Sequence, residues 1–137
     1  MTYACCSGYW NWIHPGHIEY LERSKQLAEK LIVIVNNDEQ QMLKYGKIFM
    51  NAQERMKIIE ALRCVDIVIL SIDTDRTVNK TLEYVHKKYN IDFLCNAGDQ
   101  DKNCAESETA KRLGITLVDG LGDKIQSSSW LINAARQ

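Results

Sequence analysis

Apolar residues along this chain fall into two alternating patterns. Short unbroken runs occur at Tyr3 to Cys6, Leu31 to Val35, Val65 to Leu70, Ile91 to Cys95 and Ile115 to Val118. Runs without polar alternation, rich in Val and Ile, mark strands covered on both faces. Between them, apolar residues recur at helical spacing. Ile18, Leu21 and Ala28 stripe a segment from Pro15 to about Lys30. Met56, Ile59 and Leu62 stripe a second helix that ends near Arg63, and Val78, Leu82 and Val85 a third. Glu106 to Leu113 gives a fourth, closed by Gly114 just past its end. Asn51-Ala-Gln-Glu54 is close to a capping box at the start of the second. Asn36 to Met50 and Gly120 to Gln126 read as polar loops, and Ser127 as the cap of a last short helix with Trp130 and Leu131.

Strict alternation of strand and helix predicts an α/β fold: a single Rossmann-like domain over residues 1–137, its five-stranded parallel sheet covered by helices on both faces. In such sheets ligands gather beyond the carboxyl ends of the strands. The clusters His14/His17, Lys44/Lys47, Asp73/Arg76 and Asp99 each follow a strand, so all are expected on that edge.

Composition narrows the picture. Apolar residues make up 45% and charged residues 26% of the 137, with net charge −1. That balance is ordinary for a globular protein and argues against a general nucleic-acid binder. No apolar run approaches the ~20 residues of a membrane helix, and the start lacks a basic-then-apolar signal, so a cytoplasmic protein is expected. The five cysteines have irregular spacing and no C-x-x-C pair, which argues against a disulfide framework or zinc site. Cys5, Cys6 and Cys95 fall in strands and read as small buried thiols.

The strongest candidate chemistry is His14-Pro15-Gly16-His17, where the first strand passes into the first helix. A helix N-terminus offers backbone N–H groups and a positive dipole end to an anion. Two imidazoles there can donate to a phosphate as charge grows on it, and glycine admits close backbone approach. The same spacing also suits one capping and one packed histidine. On spacing alone, Lys44 and Lys47 could be solvated, Ser127 a simple cap, and Arg55 a surface-pair residue. Trp10 and Trp12 could line a pocket or pack the entry loop.

The segment Gly8-Tyr-Trp-Asn-Trp-Ile-His-Pro-Gly-His17 resembles the opening of the HxGH nucleotidyltransferases, in their cytidylyltransferase-like branch. Leu31 to Asp38, Leu43-Lys44 with Lys47, Glu54-Arg55 through Val65-Asp66, Gly98-Asp99 and Gln126-Ser-Ser-Ser129 resemble further segments of that family in order. The resemblance implies transfer of a nucleoside monophosphate from a nucleoside triphosphate, with Mg²⁺, to a small phosphorylated polyol or sugar, releasing pyrophosphate. It implies catalytic roles for His14, His17, Lys44 and Lys47. Nucleotide contacts would come from Gly8, Tyr9, Trp10, Gly16, Asp99, Ser127, Ser128 and Ser129, and substrate contacts from Asn11, Trp12, Arg55 and Lys124. No resident metal is implied. CTP ranks first and ATP with a heptose-phosphate-like acceptor second, and a homodimer is expected. An inactive nucleotide-binding module is the rival. Asn11 stands where many relatives carry Asp, and Lys124 is the nearest cation to an arginine that cytidylyltransferases place before the serines.

Overall fold

The structure is a computed structural model, and it describes residues 1–97 and 105–121. Five strands, β1 (Tyr3–Gly8), β2 (Lys30–Val35), β3 (Ile67–Leu70), β4 (Phe93–Ala97) and β5 (Thr116–Leu121), form one parallel sheet in the order β3-β2-β1-β4-β5. The described helices are α1 (Pro15–Lys25), α2 (Asp38–Tyr45), α3 (Ala52–Glu60), α4 (Asn79–Tyr89) and α5 (Ala105–Leu113). The last predicted helix, with Ser127, and Cys104 lie outside the described residues.

The unbroken apolar runs bury both faces of the sheet. Ala4, Cys6, Leu31, Val33 and Val35 pack on one face with Leu21 of α1 and Ile59 of α3. Cys5, Ile32, Ile34 and Leu94 pack on the other with Leu82 and Val85 of α4 and Ala110 of α5. Adjacent strand residues thus serve opposite cores, as the period of two requires. Burial raises the Cys5 and Cys6 thiols well above their ordinary range, which leaves both protonated packing groups.

Strand order reverses between β2-β1 and β4-β5, so the switch point lies at the carboxyl end of β1. The loop from Tyr9 to His14 leaves there. Two expectations change. The first helix stops at Lys25, because Lys30 already pairs with Tyr3 in the sheet. The segment from Asn36 to Met50 contains α2, capped by a reciprocal pair: Asn37 accepts from the Gln40 amide at 2.8 Å, and Gln40 accepts from the Asn37 amide at 3.0 Å. Gly46 ends α2 in the left-handed region at φ 76°, where glycine carries no steric penalty.

Candidate functional site

The His-Pro-Gly-His turn is a capping box made of imidazoles. His14 is the N-cap of α1, and its Nδ1 accepts from the Gly16 amide at 3.1 Å. His17, at the third helical position, accepts the His14 amide on its Nδ1 at 3.4 Å. The two rings stack with centroids 3.9 Å apart. An acceptor at Nδ1 places the proton of each neutral ring on Nε2. Burial lowers the His14 pKa, which favours that neutral form. The anion site expected from backbone amides is thereby altered: the Gly16 amide is engaged by His14, and the His17 amide donates to the His14 carbonyl at 2.9 Å.

Behind the histidines stands Trp10. Its indole is buried, donates through Nε1 to the Ile34 carbonyl at 3.0 Å, and meets the His17 ring edge-on at 5.6 Å. This explains Gly8. A Cβ there would lie 3.0 Å from the Trp10 ring, so glycine makes room for the indole. Trp10 and Trp12 both take left-handed backbone, at φ 57° and 32°. Such conformations cost about 1–3 kcal/mol each in bulky residues and persist only where the surroundings enforce them.

Arg55 supplies much of that enforcement. Expected to bind substrate, it is instead fully buried in the scaffold. Its Nη1 donates to the Tyr9 carbonyl at 2.8 Å and to the Asn36 carbonyl at 2.7 Å. Its Nε donates to the Met50 carbonyl at 2.9 Å, and Nη2 pairs with Asp38 at 3.0 Å. One rigid guanidinium therefore ties together the loops after β1 and β2, the start of α2 and the entry to α3.

Gln41, also fully buried, orients Asn11. Gln41 Oε1 accepts from Asn11 Nδ2 at 2.7 Å and from the Phe49 amide at 3.1 Å. With its amide so committed, Asn11 presents Oδ1 as an acceptor.

The lysines sit over aromatic rings. Lys44 Nζ is 4.5 Å from the Tyr9 ring centre and 5.2 Å from that of Tyr45, and Lys47 Nζ is 4.7 Å from that of Phe49. Tyr9 meets Tyr45 edge-on at 5.4 Å, Tyr45 meets Phe49 at 5.5 Å, and Trp12 meets Phe49 at 5.1 Å. Burial raises the Tyr9 phenol and the nearby Arg76 charge opposes it.

His14, His17, Lys44, Lys47, Gly8, Tyr9, Trp10, Asn11, Trp12 and Gly16 thus gather at the carboxyl edge of β1 and β2. Asp99, Lys124, Ser127, Ser128 and Ser129 lie outside the described residues. Sequence reasoning passed over Gln41, Tyr45 and Phe49. The one available signal was the alternation of aromatic residues with lysines between Lys44 and Phe49. Among the described residues, no three His, Cys, Asp or Glu side chains converge to hold a metal, and no helix is long and apolar enough to cross a membrane.

Several known proteins resemble this chain. An FAD synthase of Picrophilus torridus is 33% identical over 128 residues, covering 90% of this chain and 88% of its own length. An FAD synthase of Methanocorpusculum labreanum is 41% identical over 75 residues, covering 55% of this chain but only 53% of itself. A glycerol-3-phosphate cytidylyltransferase of Staphylococcus aureus is 36% identical over 62 residues, 45% of this chain and 47% of itself. The crystal structure of the lipopolysaccharide core biosynthesis protein from Thermoplasma volcanium shares the fold, with a TM-score of 0.70, 24% identity, and coverage of 90% of this chain and 99% of that one. The sequence profile of the family described as cytidylyltransferase-like matches residues 5–119, a span that holds the histidine turn, Lys44 and Lys47, strands β2 to β4 whole and parts of β1 and β5. The chain belongs to this cytidylyltransferase-like family of nucleotidyltransferases.

Proposed function

We propose that this domain transfers AMP from ATP, bound with Mg²⁺, to a small phosphorylated acceptor. An oxygen of the acceptor phosphate attacks the α-phosphorus in line. The bond from that phosphorus to the α–β bridging oxygen breaks, and pyrophosphate leaves with the electron pair. Catalysis is positioning plus stabilisation of charge on the phosphoryl oxygens.

The observation that carries the reading is the stacked histidine pair. Both rings accept at Nδ1, both are held at the switch point, and their Nε2–H groups suit an α-phosphate. Lys44 and Lys47 would meet phosphates on the β2 flank as flexible point charges. Asp99 and Ser127 to Ser129, after β4 and β5 in the chain, would serve the ribose and the β- and γ-phosphates. Mg²⁺ would arrive on the triphosphate's own oxygens.

ATP moves ahead of CTP because the FAD synthase of Picrophilus torridus matches over most of both chains, and making FAD from flavin mononucleotide adds AMP. CTP with a glycerol-phosphate-like acceptor is the second reading, favoured by the shorter cytidylyltransferase match. Pyrophosphate release, measured across four triphosphates and a set of phosphorylated acceptors with Mg²⁺, tests both. ATP-dependent release is the expected result. CTP-dependent release selects the second reading, and silence with every pair ends both.

A further inference from the structure

One buried side chain hands the polarity of the backbone to the loop that carries the histidines. Gln41, on α2, is fully buried. Its Oε1 accepts from the Phe49 amide at 3.1 Å, and its Nε2 donates to the Met50 carbonyl at 3.0 Å. A backbone N–H can only donate and a backbone C=O can only accept, so these two bonds leave the Gln41 amide a single orientation. Asp38 Oδ1, 3.5 Å from Nε2, favours the same sense. The remaining lone pair of Oε1 takes Asn11 Nδ2 at 2.7 Å. Asn11 then has a single orientation too: its nitrogen is committed to Gln41 and its oxygen is left over.

That oxygen points to a ligand. Asn11 Oδ1 is buried and has no hydrogen-bond partner among the described residues. Buried acceptors are normally paired, and this one lies three residues before His14, in the loop that leaves the switch point. The loop's backbone is anchored by other groups. Trp10 Nε1 donates to the Ile34 carbonyl at 3.0 Å, and Arg55 donates to the Tyr9 carbonyl at 2.8 Å. The hydrogen bond from Gln41 to this loop runs to a side chain, so what Gln41 controls there is the sense of the Asn11 amide.

We propose that Gln41 is a positioning residue: it sets Asn11 Oδ1 as an uncharged acceptor for a hydroxyl or N–H group of one of the two substrates. The proposal rests on the nucleotidyl-transfer reading and adds to it a residue that touches neither substrate. An uncharged acceptor suits this place, because a carboxylate beside the histidine turn would repel the phosphates that reading brings there. The same bonds explain why Asn serves with Gln41 and Asp would not. An aspartate has no N–H to give, so it would set oxygen against Oε1. Turning the Gln41 amide round to meet it would forfeit both the Phe49 and the Met50 bonds. Positions 11 and 41 therefore act as one unit.

The Asn11 side-chain amide gives a readout that needs no turnover. In heteronuclear NMR spectra of the full chain, its signals are those lost in N11A. Q41L removes the acceptor of that amide. Q41E keeps one while protonated, since the acid hydroxyl then donates to the Met50 carbonyl. Exchange with deuterated water is expected to be slow in the wild type and about tenfold faster in Q41L, the scale of one lost hydrogen bond. Titration with a non-hydrolysable ATP analogue and Mg²⁺, with flavin mononucleotide, or with glycerol 3-phosphate should move the Asn11 signals, and the probe that moves them identifies which substrate brings the donor. Pyrophosphate release then closes a double-mutant cycle. Q41L and N11A each raise KM for that substrate about tenfold with kcat within about threefold, and the double variant is no worse than N11A. In Q41E, KM relative to wild type returns toward one as pH falls and the buried carboxyl protonates, and this variant carries the comparison if Q41L does not fold. Exchange unchanged in both variants, Asn11 signals that no probe moves, or additive KM losses in the double variant overturn the proposal, while release by the wild type keeps the transferase reading. No release by the wild type from any pair, with Asn11 signals that a probe moves in the wild type and not in Q41L or deprotonated Q41E, does the reverse.

Discussion

Arg55 and Phe49 belong to neighbouring parts of the same chain segment, yet their surroundings are opposites. Around Arg55, the side chains of Gln40, Gln41 and Arg55 itself are wholly buried and hydrogen-bonded. Gln40 donates to the Asp75 and Thr77 carbonyls at 2.7 Å each, Gln41 to the Met50 carbonyl at 3.0 Å, and Arg55 to three carbonyls and Asp38. Around Phe49, the rings of Trp12, Tyr45 and Phe49 lie open to solvent and meet one another edge to face. The buried hub spends its hydrogen bonds on backbone, so it fixes loop shape. This aromatic rim leaves ring faces exposed. In the histidine turn, the Nδ1 atoms serve the backbone, as the hub does.

If the turn serves a substrate as well, removing one imidazole should hurt catalysis more than folding. His14→Ala or His17→Ala is expected to lower kcat about 10²–10³-fold, the cost of losing one preorganised donor to a developing anion. The accompanying loss of the cap costs only about 1 kcal/mol of stability. Turnover close to wild type in either variant would return the pair to a purely capping role.

Arg55→Met tests the hub. It leaves the Tyr9, Asn36 and Met50 carbonyls without their donor, and about 3 kcal/mol of stability should go with it. Urea unfolding measures this, and a loss below about 1 kcal/mol would mean that water or neighbours replace the guanidinium without cost.

The smallest expected effect comes from pH. Burial lowers the His14 pKa from its ordinary 6.5, so the unfolded chain takes up this proton first as pH falls. Its contribution is fully present above about 6.5 and is lost progressively below that, by the linkage between proton uptake and folding. His14→Asn keeps a good N-cap without the titration. The wild type should therefore lose more stability than H14N between pH 7.5 and 5.5 in urea unfolding, and parallel losses would contradict the assignment.

The sheet was readable because its five strands are unbroken apolar runs, a pattern with few other outcomes in a chain this long. Helix α2 was not. Only Gln40 and Gln41 are buried in it, so no apolar stripe marks it, and its Asn37–Gln40 cap looks like loop chemistry until the backbone closes on it. Arg55 illustrates a deeper limit. Its partner Tyr9 lies 46 residues away and offers a backbone carbonyl, which no side-chain identity advertises. The place of the histidines at a helix start was legible because its signals are local: spacing, a proline and a glycine. The rim was half legible, since Lys44 and Lys47 drew attention while the rings beneath them did not.

The loop from Gly8 to His14 carries one more consequence. It is pinned at Trp10 to the Ile34 carbonyl, at the Tyr9 carbonyl to Arg55, and at His14 to the helix it caps. Three anchors within six residues leave no slack for a change in chain length. An inserted or deleted residue here would pull at least one anchor from its socket, whereas the exposed turn at Gly46 to Ile48 could absorb one by bulging outward. Diversity of loop length in proteins built this way should therefore accumulate after α2, so that a new acceptor can be accommodated without moving the histidines.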